Sequence, residues 1–310
     1  MTNTRACPVC DTDSSAAKLF LKQNIDPARL SAASFASRKL PEFMCHQLVQ
    51  CPQCDLVYAN DPPDQSVLAH AYHVASFDSA QEADDAAAAY SKALAPVLSQ
   101  LPNKGAALEI GTGTGIFLEA LKAQGFATVV GVEPSAAAIA AAPKHRQVWI
   151  REGIFREADF EPNSFDFICC FMTLEHVRDP HEIVSAASRL LRPGGAIALV
   201  THDYRSFVNR LLGKRSPIID IEHMQLFSPR SIRQLLERSG FASIQVASFN
   251  NRYALRYWIR LLPLGSGLKL GLIRVLETIG MADIKLTANV GNMLSYAYMP
   301  VVELSEKAFD

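Results

Sequence analysis

The feature that most constrains the fold is a regular alternation of short apolar runs with amphipathic stretches between residues 106 and 201. In chain order these segments are 106–110, 116–124, 128–132, 135–142, 165–172, 180–191 and 196–201. The apolar runs predict buried strands, and the amphipathic stretches between them predict helices. Because strands and helices that alternate in this way form βαβ units, the sequence predicts an α/β fold with a parallel sheet and helices on both faces.

Two further strands are predicted after this region, at residues 243–249 and 292–302. The segment between them is rich in Leu, Ile, Arg and aromatic residues, and we expect a helical insert at 251–288. An insert of this composition could form a lid, a contact between copies of the chain in an oligomer, or a helix at a membrane surface.

The charge and hydropathy of the chain exclude several classes of partner. The 310 residues include 30 Lys and Arg against 31 Asp and Glu, for a net charge of −1. This balance gives no overall attraction for a phosphate backbone, so we expect no nucleic-acid partner. No uninterrupted apolar run approaches the roughly 18 residues of a membrane span, and residues 1–5 lack the apolar core of a signal peptide. We therefore expect no transmembrane segment and a cytoplasmic location.

Four of the seven cysteines form two C-P-x-C motifs, Cys7 with Cys10 and Cys51 with Cys54. Two such turns can direct four thiolates toward one tetrahedral Zn²⁺. The sequence therefore predicts a structural zinc held by these four residues, in a zinc-ribbon module over residues 1–60. A rubredoxin-like iron site, four buried thiols and a redox-active pair are the alternatives, although redox chemistry needs only one C-x-x-C pair.

A glycine-rich run follows the first predicted strand and opens the first predicted helix. It reads Leu-Glu-Ile-Gly-Thr-Gly-Thr-Gly over residues 108–115, with glycines at Gly111, Gly113 and Gly115. Small residues at this position let the backbone and the helix N-terminal amides approach a ligand closely, which indicates a nucleotide. The dinucleotide pattern G-x-G-x-x-G would need a glycine at Ile116, so this spacing disfavours NAD.

Glu133 ends the next predicted strand, about 20 residues after the glycine run. A carboxylate at this point can accept hydrogen bonds from both hydroxyls of an unphosphorylated ribose. The glycine run and Glu133 together indicate an adenosine-containing ligand, whereas the alternative for Glu133 is a surface acid beside a helix.

Four motifs in order give the chain a family resemblance. They are E-I-G-T-G-T-G at 109–115, G-V-E-P-S at 131–135, N-S-F-D-F-I-C-C-F-M-T-L-E-H-V at 163–177 and R-L-L-R-P-G-G at 189–195. Over about residues 100–250 the chain resembles the class I S-adenosylmethionine-dependent methyltransferases. The resemblance implies a Rossmann-like sheet of seven strands whose last strand pair is antiparallel. Before this region, residues 61–101 are rich in Ala with few Gly or Pro after a Pro-Pro break, which predicts a helical linker, and we expect the methyltransferase domain at 102–310.

The same resemblance implies a set of cofactor contacts for S-adenosylmethionine. Glu109 and Gly111 would serve the methionine end, with Gly113 and Gly115 in the same loop, and Glu133 would hold the ribose. Ile154 and Phe155 would contact the adenine. Phe171 and Met172 would form the wall near the sulfonium. The turn that carries Ile154 departs from the family, which often has an Asp there.

Polar residues follow the fifth predicted strand, beyond the carboxyl end of the sheet, where open α/β sheets bind their ligands. The candidate acceptor contacts there are His202, Asp203, Arg205 and Arg210. The Arg residues, with Lys214 and Arg215, could recognise an anionic acceptor or form a solvated basic face. The E-H-x-x-x-F-S motif at 222–228, followed by 231–241, resembles sugar C-methyltransferases and related small-molecule enzymes that carry an N-terminal four-cysteine zinc module.

These resemblances predict methyl transfer to a small-molecule acceptor, a sugar or a natural-product intermediate. A hydroxyl or carbon acceptor needs a base, and histidine is the natural base near neutral pH. We predict that His223 is this base, with Glu222 beside it, although His223 could instead only shape the pocket. His176 is the second candidate for the base. A metal-dependent route through His202, Asp203 and Glu222 is a further alternative.

Two other functions compete with this prediction. One is methylation of RNA or another macromolecule, with the zinc module as its grip, but residues 1–60 are neither strongly basic nor rich in aromatic residues. The other is a non-catalytic protein in which the zinc module recruits partners. The intact glycine run and Glu133 disfavour this second alternative.

Overall fold

Two β-sheets organise the chain in a computed structural model that describes residues 4–31, 34–36, 42–77, 80–262 and 264–301. The strands are β1 (Lys18–Leu21), β2 (Leu48–Gln50), β3 (Val57–Ala59), β4 (Ala106–Ile110), β5 (Thr128–Glu133), β6 (Ile150–Glu152), β7 (Phe165–Phe171), β8 (Leu191–His202), β9 (Gln225–Leu226), β10 (Ala242–Ala254) and β11 (Lys285–Tyr298). The α-helices are α1 (Gln65–His73), α2 (Ala80–Ser99), α3 (Ile116–Ala123), α4 (Ala136–Ala141), α5 (Lys144–Gln147), α6 (Pro180–Leu190), α7 (Phe207–Leu212), α8 (Pro229–Arg238), α9 (Leu255–Leu261) and α10 (Ser266–Thr278).

The larger sheet has seven strands in the order β10-β11-β8-β7-β4-β5-β6. The five neighbouring strands β8, β7, β4, β5 and β6 run parallel to one another. Strand β11 pairs antiparallel with both β8 and β10. This arrangement confirms the predicted α/β fold with an antiparallel pair at its end. The strand order reverses between β4 and β7, so a crevice opens at the carboxyl ends of these two strands, where such sheets bind ligands.

Most predicted elements of this sheet are confirmed within one or two residues. The first predicted strand coincides with β4, and α6 begins after Asp179, whose side chain accepts hydrogen bonds from the amides of His181 and Glu182. The antiparallel pair is longer than predicted, because β10 continues to Ala254 and β11 begins at Lys285. Residue 302, the predicted end of the last strand, lies outside the described residues.

The smaller sheet has four strands in the order β1-β2-β3-β9. Its fourth strand comes from far along the chain, since Val57 pairs with Leu226 and Tyr58 with Gln225. The N-terminal sheet is therefore completed by the segment that immediately follows the E-H pair of the E-H-x-x-x-F-S motif. Among the described residues, no helix combines the length and the apolar character that crossing a membrane requires.

The two cysteine motifs fold into matching turns. The amide of Asp11 donates to the carbonyl of Cys7 at 2.9 Å, and the amide of Asp55 donates to that of Cys51 at 3.1 Å. Asp11 and Asp55 follow the second cysteine of each motif with φ of 56° and 71°. Asp is one of the few residues other than glycine that visits this left-handed region readily, which explains how two C-P-x-C-D sequences close the same turn.

Candidate active site

A cavity of about 850 Å³ lies at the carboxyl ends of the parallel strands. Twelve of the residues predicted for the site line it: Glu109, Gly111, Gly113, Glu133, Ile154, Phe155, Phe171, Met172, His176, His202, Glu222 and His223. The glycine loop and Glu133 contribute one part of the lining, and three histidines contribute another. One cavity therefore joins the two groups of residues that the motifs singled out separately.

The glycine loop leaves β4 with three left-handed residues, at Gly111, Gly113 and Gly115. Gly111 has a φ of 77°, and a Cβ atom there would lie 2.2 Å from Oγ1 of Thr173. Only glycine satisfies both the backbone conformation and this close approach. Gly115 caps the N-terminus of α3 and does not line the cavity.

Glu133 is buried at the end of β5, with 8% of its surface exposed. One carboxylate oxygen accepts from the amide of Gly113 at 2.7 Å, and the other accepts from the amide of Ser135 at 2.9 Å. Burial raises the pKa of Glu133, and these two hydrogen bonds oppose the rise. Each carboxylate oxygen can accept more than one hydrogen bond, so the side chain is held in place and still able to receive hydroxyl donors.

Glu109 is buried where β4 meets the glycine loop. Its carboxylate accepts from the hydroxyl of Thr112 at 2.5 Å. Burial raises the pKa of Glu109 to about 8, a rise that the nearby Glu133 increases and the Thr112 hydrogen bond opposes. The side chain therefore carries a proton at neutral pH in the absence of a cationic neighbour.

Aromatic side chains form part of the cavity lining. The ring of Phe171 lies 4.5 Å from that of Tyr90 and 4.9 Å from that of Phe117, measured between centroids. Met172 follows in a left-handed conformation, with a φ of 51°. Residues other than glycine rarely adopt this conformation, and such residues cluster at functional sites.

Three histidine rings form a row in the cavity. The ring of His223 lies 4.9 Å from that of His176 and 5.5 Å from that of His202. Nδ1 of His223 donates to the carbonyl oxygen of Ile218 at 2.8 Å, because a carbonyl can only accept. In the neutral ring Nε2 then carries the lone pair, which is the arrangement that a base requires.

His202 is held in the neutral form. Its Nδ1 lies 2.7 Å from Oδ1 of Asn292, whose amide nitrogen donates to Asn251. Burial, and then the neighbouring His223, lower the pKa of His202 to about 3. His202 therefore stays unprotonated at neutral pH.

His176 belongs to a network that includes a residue from α1. Nδ1 of His176 lies 2.8 Å from the Tyr72 hydroxyl and 3.5 Å from a carboxylate oxygen of Glu222. Donor atoms of His176, Glu222 and His223 all lie within 4.8 Å of one another, a spacing that a divalent cation could use. The metal route predicted through His202, Asp203 and Glu222 has no such cluster among the described residues.

Three of the four predicted acceptor contacts lie outside the cavity. The side chain of Asp203 accepts from the amide of Arg205, and the guanidinium of Arg205 pairs with Asp55 at 3.2 Å. Arg210 is exposed on α7. Of the predicted four, only His202 lines the cavity.

Sequence reasoning did not identify several polar residues of the site. Tyr72 and Asn292 reach their histidine partners from 104 and 90 residues away along the chain. Glu175 is fully buried behind the cavity and accepts from the amide of His202 at 2.7 Å. Burial raises the pKa of Glu175 to about 7. No local pattern marks these contacts, although Glu175 stands in the L-E-H-V motif next to His176.

The four predicted metal ligands converge at the N-terminal sheet. Cys7 and Cys54 have their sulfur atoms 3.4 Å apart, as do Cys10 and Cys51, and all four sulfurs lie within 4.8 Å of one another. A tetrahedral zinc with bonds of about 2.3 Å separates its sulfurs by about 3.8 Å, so the cluster fits this metal with small adjustments. The hydrogen bond between Cys7 and Cys54 lowers the pKa of the Cys7 thiol and raises that of the Cys54 thiol, so the pair favours a single thiolate in the absence of a metal.

Comparisons with known proteins give a family model and several curated relatives. The model of a family described as a methyltransferase domain matches residues 81–246. A ubiquinone biosynthesis O-methyltransferase of Vibrio atlanticus is 24% identical over 156 residues, covering 46% of this chain and 65% of that protein. The protein of the same name from Idiomarina loihiensis is 35% identical over 133 residues, covering 41% of this chain and 52% of that protein.

A solved structure from Thermotoga maritima, described as an S-adenosylmethionine-dependent methyltransferase and possible histamine N-methyltransferase, is 22% identical. It covers 70% of this chain and 90% of its own, with a TM-score of 0.46. The matches to the ubiquinone biosynthesis enzymes span less than two thirds of those proteins. The family model includes strands β4 to β8, the glycine loop and Glu133. Because this family model covers more than half of the chain, the chain belongs to the methyltransferase domain family.

Proposed function

We propose that this protein transfers a methyl group from S-adenosylmethionine to a small-molecule acceptor, a sugar or another natural-product intermediate. The observation that carries the proposal is the single cavity that joins the glycine loop and Glu133 to the three histidines. Its volume of about 850 Å³ lies within the range of small-molecule and cofactor pockets. The relatives named ubiquinone biosynthesis O-methyltransferase support a small-molecule acceptor.

In this proposal the glycine-loop side of the cavity holds the nucleoside. Glu133 accepts hydrogen bonds from the ribose hydroxyls, while Gly113 and Ser135 hold its carboxylate in position. Ile154 and Phe155 provide apolar surface for the adenine. Glu109 and Gly111 face the methionine end, where the Glu109 carboxylate would meet the ammonium group of the ligand.

The histidine side receives the acceptor. S-adenosylmethionine supplies an electrophilic methyl group, which moves by in-line displacement from sulfur to the acceptor atom. Phe171 and Met172 exclude water from the path between the sulfur and the acceptor atom. His223 accepts the acceptor's proton at Nε2 when the acceptor atom is a hydroxyl oxygen or a carbon, while His176 and Glu222 line the same region. Arg205 and Arg210 lie outside the cavity and are not among the acceptor contacts that we propose.

The four cysteines hold a structural zinc in this proposal. Four protein ligands close the coordination sphere, so the metal stabilises the fold and takes no part in the reaction. Cys45, Cys169 and Cys170 do not belong to this cluster, and burial raises the pKa of each of these thiols.

Calorimetry of S-adenosylmethionine binding tests the nucleoside assignment. Loss of the Glu133 carboxylate removes a charge-assisted contact, so Glu133→Ala should weaken binding by about 1.5–3 kcal/mol. The matched control is Glu152→Ala, which removes an exposed carboxylate from the end of the neighbouring strand and should leave the affinity unchanged. Equal affinities for wild type and Glu133→Ala, or binding of NAD in place of S-adenosylmethionine, would contradict the proposal.

A further inference from the structure

The insert between β10 and β11 exposes an unusual amount of apolar surface. Ten of the nineteen large hydrophobic side chains that are exposed in the described residues lie between Leu262 and Leu286. A soluble monomer rarely shows so many contiguous apolar groups unless another surface covers them. This concentration on one short segment sets the insert apart from the rest of the surface.

Helix α10 turns its apolar stripe away from the protein. Leu268, Leu272 and Val275 follow one another at spacings of four and three residues, which places them on one face of the helix, and the C-cap residue Ile279 continues this stripe. In a helix that packs on a core this face would be buried. Here Leu268, Val275 and Ile279 are each more than half exposed. The helix is therefore amphipathic, with its apolar face outward.

This surface is continuous with the mouth of the cavity. Leu262 and Leu286 are both exposed and both line the cavity, together with Trp258 and Leu261 of α9. Helix α7 borders the same opening through Val208 and Leu212. The neighbouring Phe207 and Leu211 are 79% and 73% exposed, so α7 extends the apolar surface.

The charge of this region is positive although the chain as a whole has a net charge of −1. Residues 251–288 contain six Lys and Arg against two Asp and Glu. Arg256 pairs with Asp283, Arg260 with Glu82 and Lys285 with Asp85. The remaining three, Arg252, Lys269 and Arg274, have no ion-pair partner among the described residues, and of these Lys269 donates through its ammonium group to the carbonyl of Arg260 at 2.7 Å.

One member of the basic cluster noted in the sequence, Arg210, adds a positive charge to α7, which borders the cavity mouth. Lys214 lies instead beside β1 and Cys45, next to the N-terminal sheet. A surface that is both apolar and basic suits an anionic bilayer, because apolar side chains enter the headgroup region while cations meet the lipid charges. A second copy of this chain would instead bring like charges together.

We propose that the face formed by α9, α10 and α7 docks on an anionic lipid bilayer. In this arrangement α10 lies in the plane of the interface, with Leu268, Leu272, Val275 and Ile279 toward the acyl chains. The cavity mouth then faces the membrane surface. The α10 stripe is separate from the proposed methyl-transfer site, since its four residues do not line the cavity, whereas α9 and α7 border the mouth.

Cosedimentation with vesicles tests the docking. The wild-type protein should bind vesicles of equal parts phosphatidylcholine and phosphatidylglycerol, bind pure phosphatidylcholine weakly, and lose binding as salt increases. Replacing Leu268, Leu272 and Val275 together by Gln should lower vesicle affinity by roughly tenfold or more, because it removes buried apolar area. Arg252→Glu with Arg274→Glu should lower affinity for the anionic vesicles alone.

The matched control is Val67→Gln with Val148→Gln, which changes exposed apolar residues elsewhere and should not affect vesicle binding. The triple Gln variant should keep wild-type affinity for S-adenosylmethionine, which shows that it folds. The proposal would be overturned if the wild-type protein did not bind anionic vesicles. It would also be overturned if the triple variant bound them as well as the wild type does. If the wild type is a dimer that does not bind vesicles, and the triple variant is a monomer, the face belongs to a contact with a second copy of the chain.

Discussion

At the scale of single residues, hydrogen-bond partners set different roles for the histidines of the cavity. Nδ1 of His223 is committed to the carbonyl of Ile218, so the basic nitrogen of the neutral ring is Nε2. His202 has a pKa of about 3 because it is buried beside His223. A neutral His202 cannot compete for the acceptor's proton at neutral pH. This contrast favours His223 over His202 as the base.

Substitution of His223 tests this role. General-base catalysis contributes about 10²–10⁴-fold, so His223→Gln should lower turnover by about that factor and leave S-adenosylmethionine affinity nearly unchanged. Turnover is measured by mass spectrometry with an acceptor found by screening. His176→Gln is the matched comparison from the same histidine row. Near-normal turnover in His223→Gln would make His223 a pocket-shaping residue, and loss of turnover only in His176→Gln would move the base to His176.

Glu109 predicts a proton linkage on cofactor binding. With a pKa of about 8, roughly nine tenths of the Glu109 side chains are protonated at pH 7 in the free protein. An ammonium group beside the carboxylate favours its charged form, so binding should release close to one proton at pH 7 and tighten as the pH rises toward 8. Calorimetry in two buffers of different ionisation enthalpy counts this proton.

Glu109→Gln isolates this contribution, because any titration of the ligand itself remains in the variant. The variant should release markedly less than one proton at pH 7. Equal proton release by wild type and Glu109→Gln would show that Glu109 does not change its protonation state on binding.

The residues of the site differ in how far the sequence could predict them. Gly111, Gly113 and Glu133 stand at the ends of predicted strands, where backbone geometry alone brings them to the carboxyl edge of the sheet. Tyr72 reaches the site from α1, and Asn292 reaches it from the last strand. Their positions depend on tertiary packing, which no local spacing encodes. Arg205 shows the opposite case, since a predicted acceptor contact instead pairs with Asp55.

At the scale of elements, the N-terminal sheet and the segment that carries His223 are parts of one structure. β9 immediately follows Met224 and pairs with β3, and the carbonyl of Met224 accepts from the amide of Ala59 at 2.8 Å. The cysteine turn at Cys51 and Cys54 precedes β3 directly. Metal binding at the cysteines should therefore stabilise the segment that carries His223.

Elemental analysis tests the metal assignment. Protein purified without chelator should contain one zinc per chain. The double variant Cys51→Ser with Cys54→Ser should lose the zinc. Its free energy of unfolding should fall by several kcal/mol, so it should also unfold at a lower temperature. Cys45→Ser is the matched control and should retain zinc. Hydrogen exchange in the zinc-free variant should rise at residues 220–228. Wild-type protein without metal, or full zinc content in the double variant, would contradict the assignment.

The sequence predicted most strands of the large sheet but neither β6 nor, in the small sheet, β9, which have three and two residues. β4 has a continuous apolar run and a glycine stop, which are strong local signals. β9 has only two residues, and its pairing with β3 spans most of the chain, so no pattern within 225–226 could reveal it. The long antiparallel arm of β10 and β11 was hidden in a similar way, because each strand continues into a segment whose composition also suits a helix.

At the scale of the whole molecule, the strand order places the residues of the proposed nucleoside and acceptor sites at the carboxyl edge of the large sheet. The glycine loop follows β4, Glu133 ends β5, Met172 follows β7 and His202 ends β8. The insert between β10 and β11 extends the cavity wall on the same side. The nucleoside, the acceptor and the proposed bilayer contact are therefore arranged around one opening.

The most direct test of the account is a crystal structure of the protein with S-adenosylhomocysteine. We expect the ribose hydroxyls within hydrogen-bond distance of the Glu133 carboxylate and the adenine beside Phe155. The sulfur should lie near Phe171 and Met172 and point toward His223. A ligand bound outside this cavity, or one whose ribose does not contact Glu133, would contradict the central claim that this cavity joins a nucleoside site to an acceptor site.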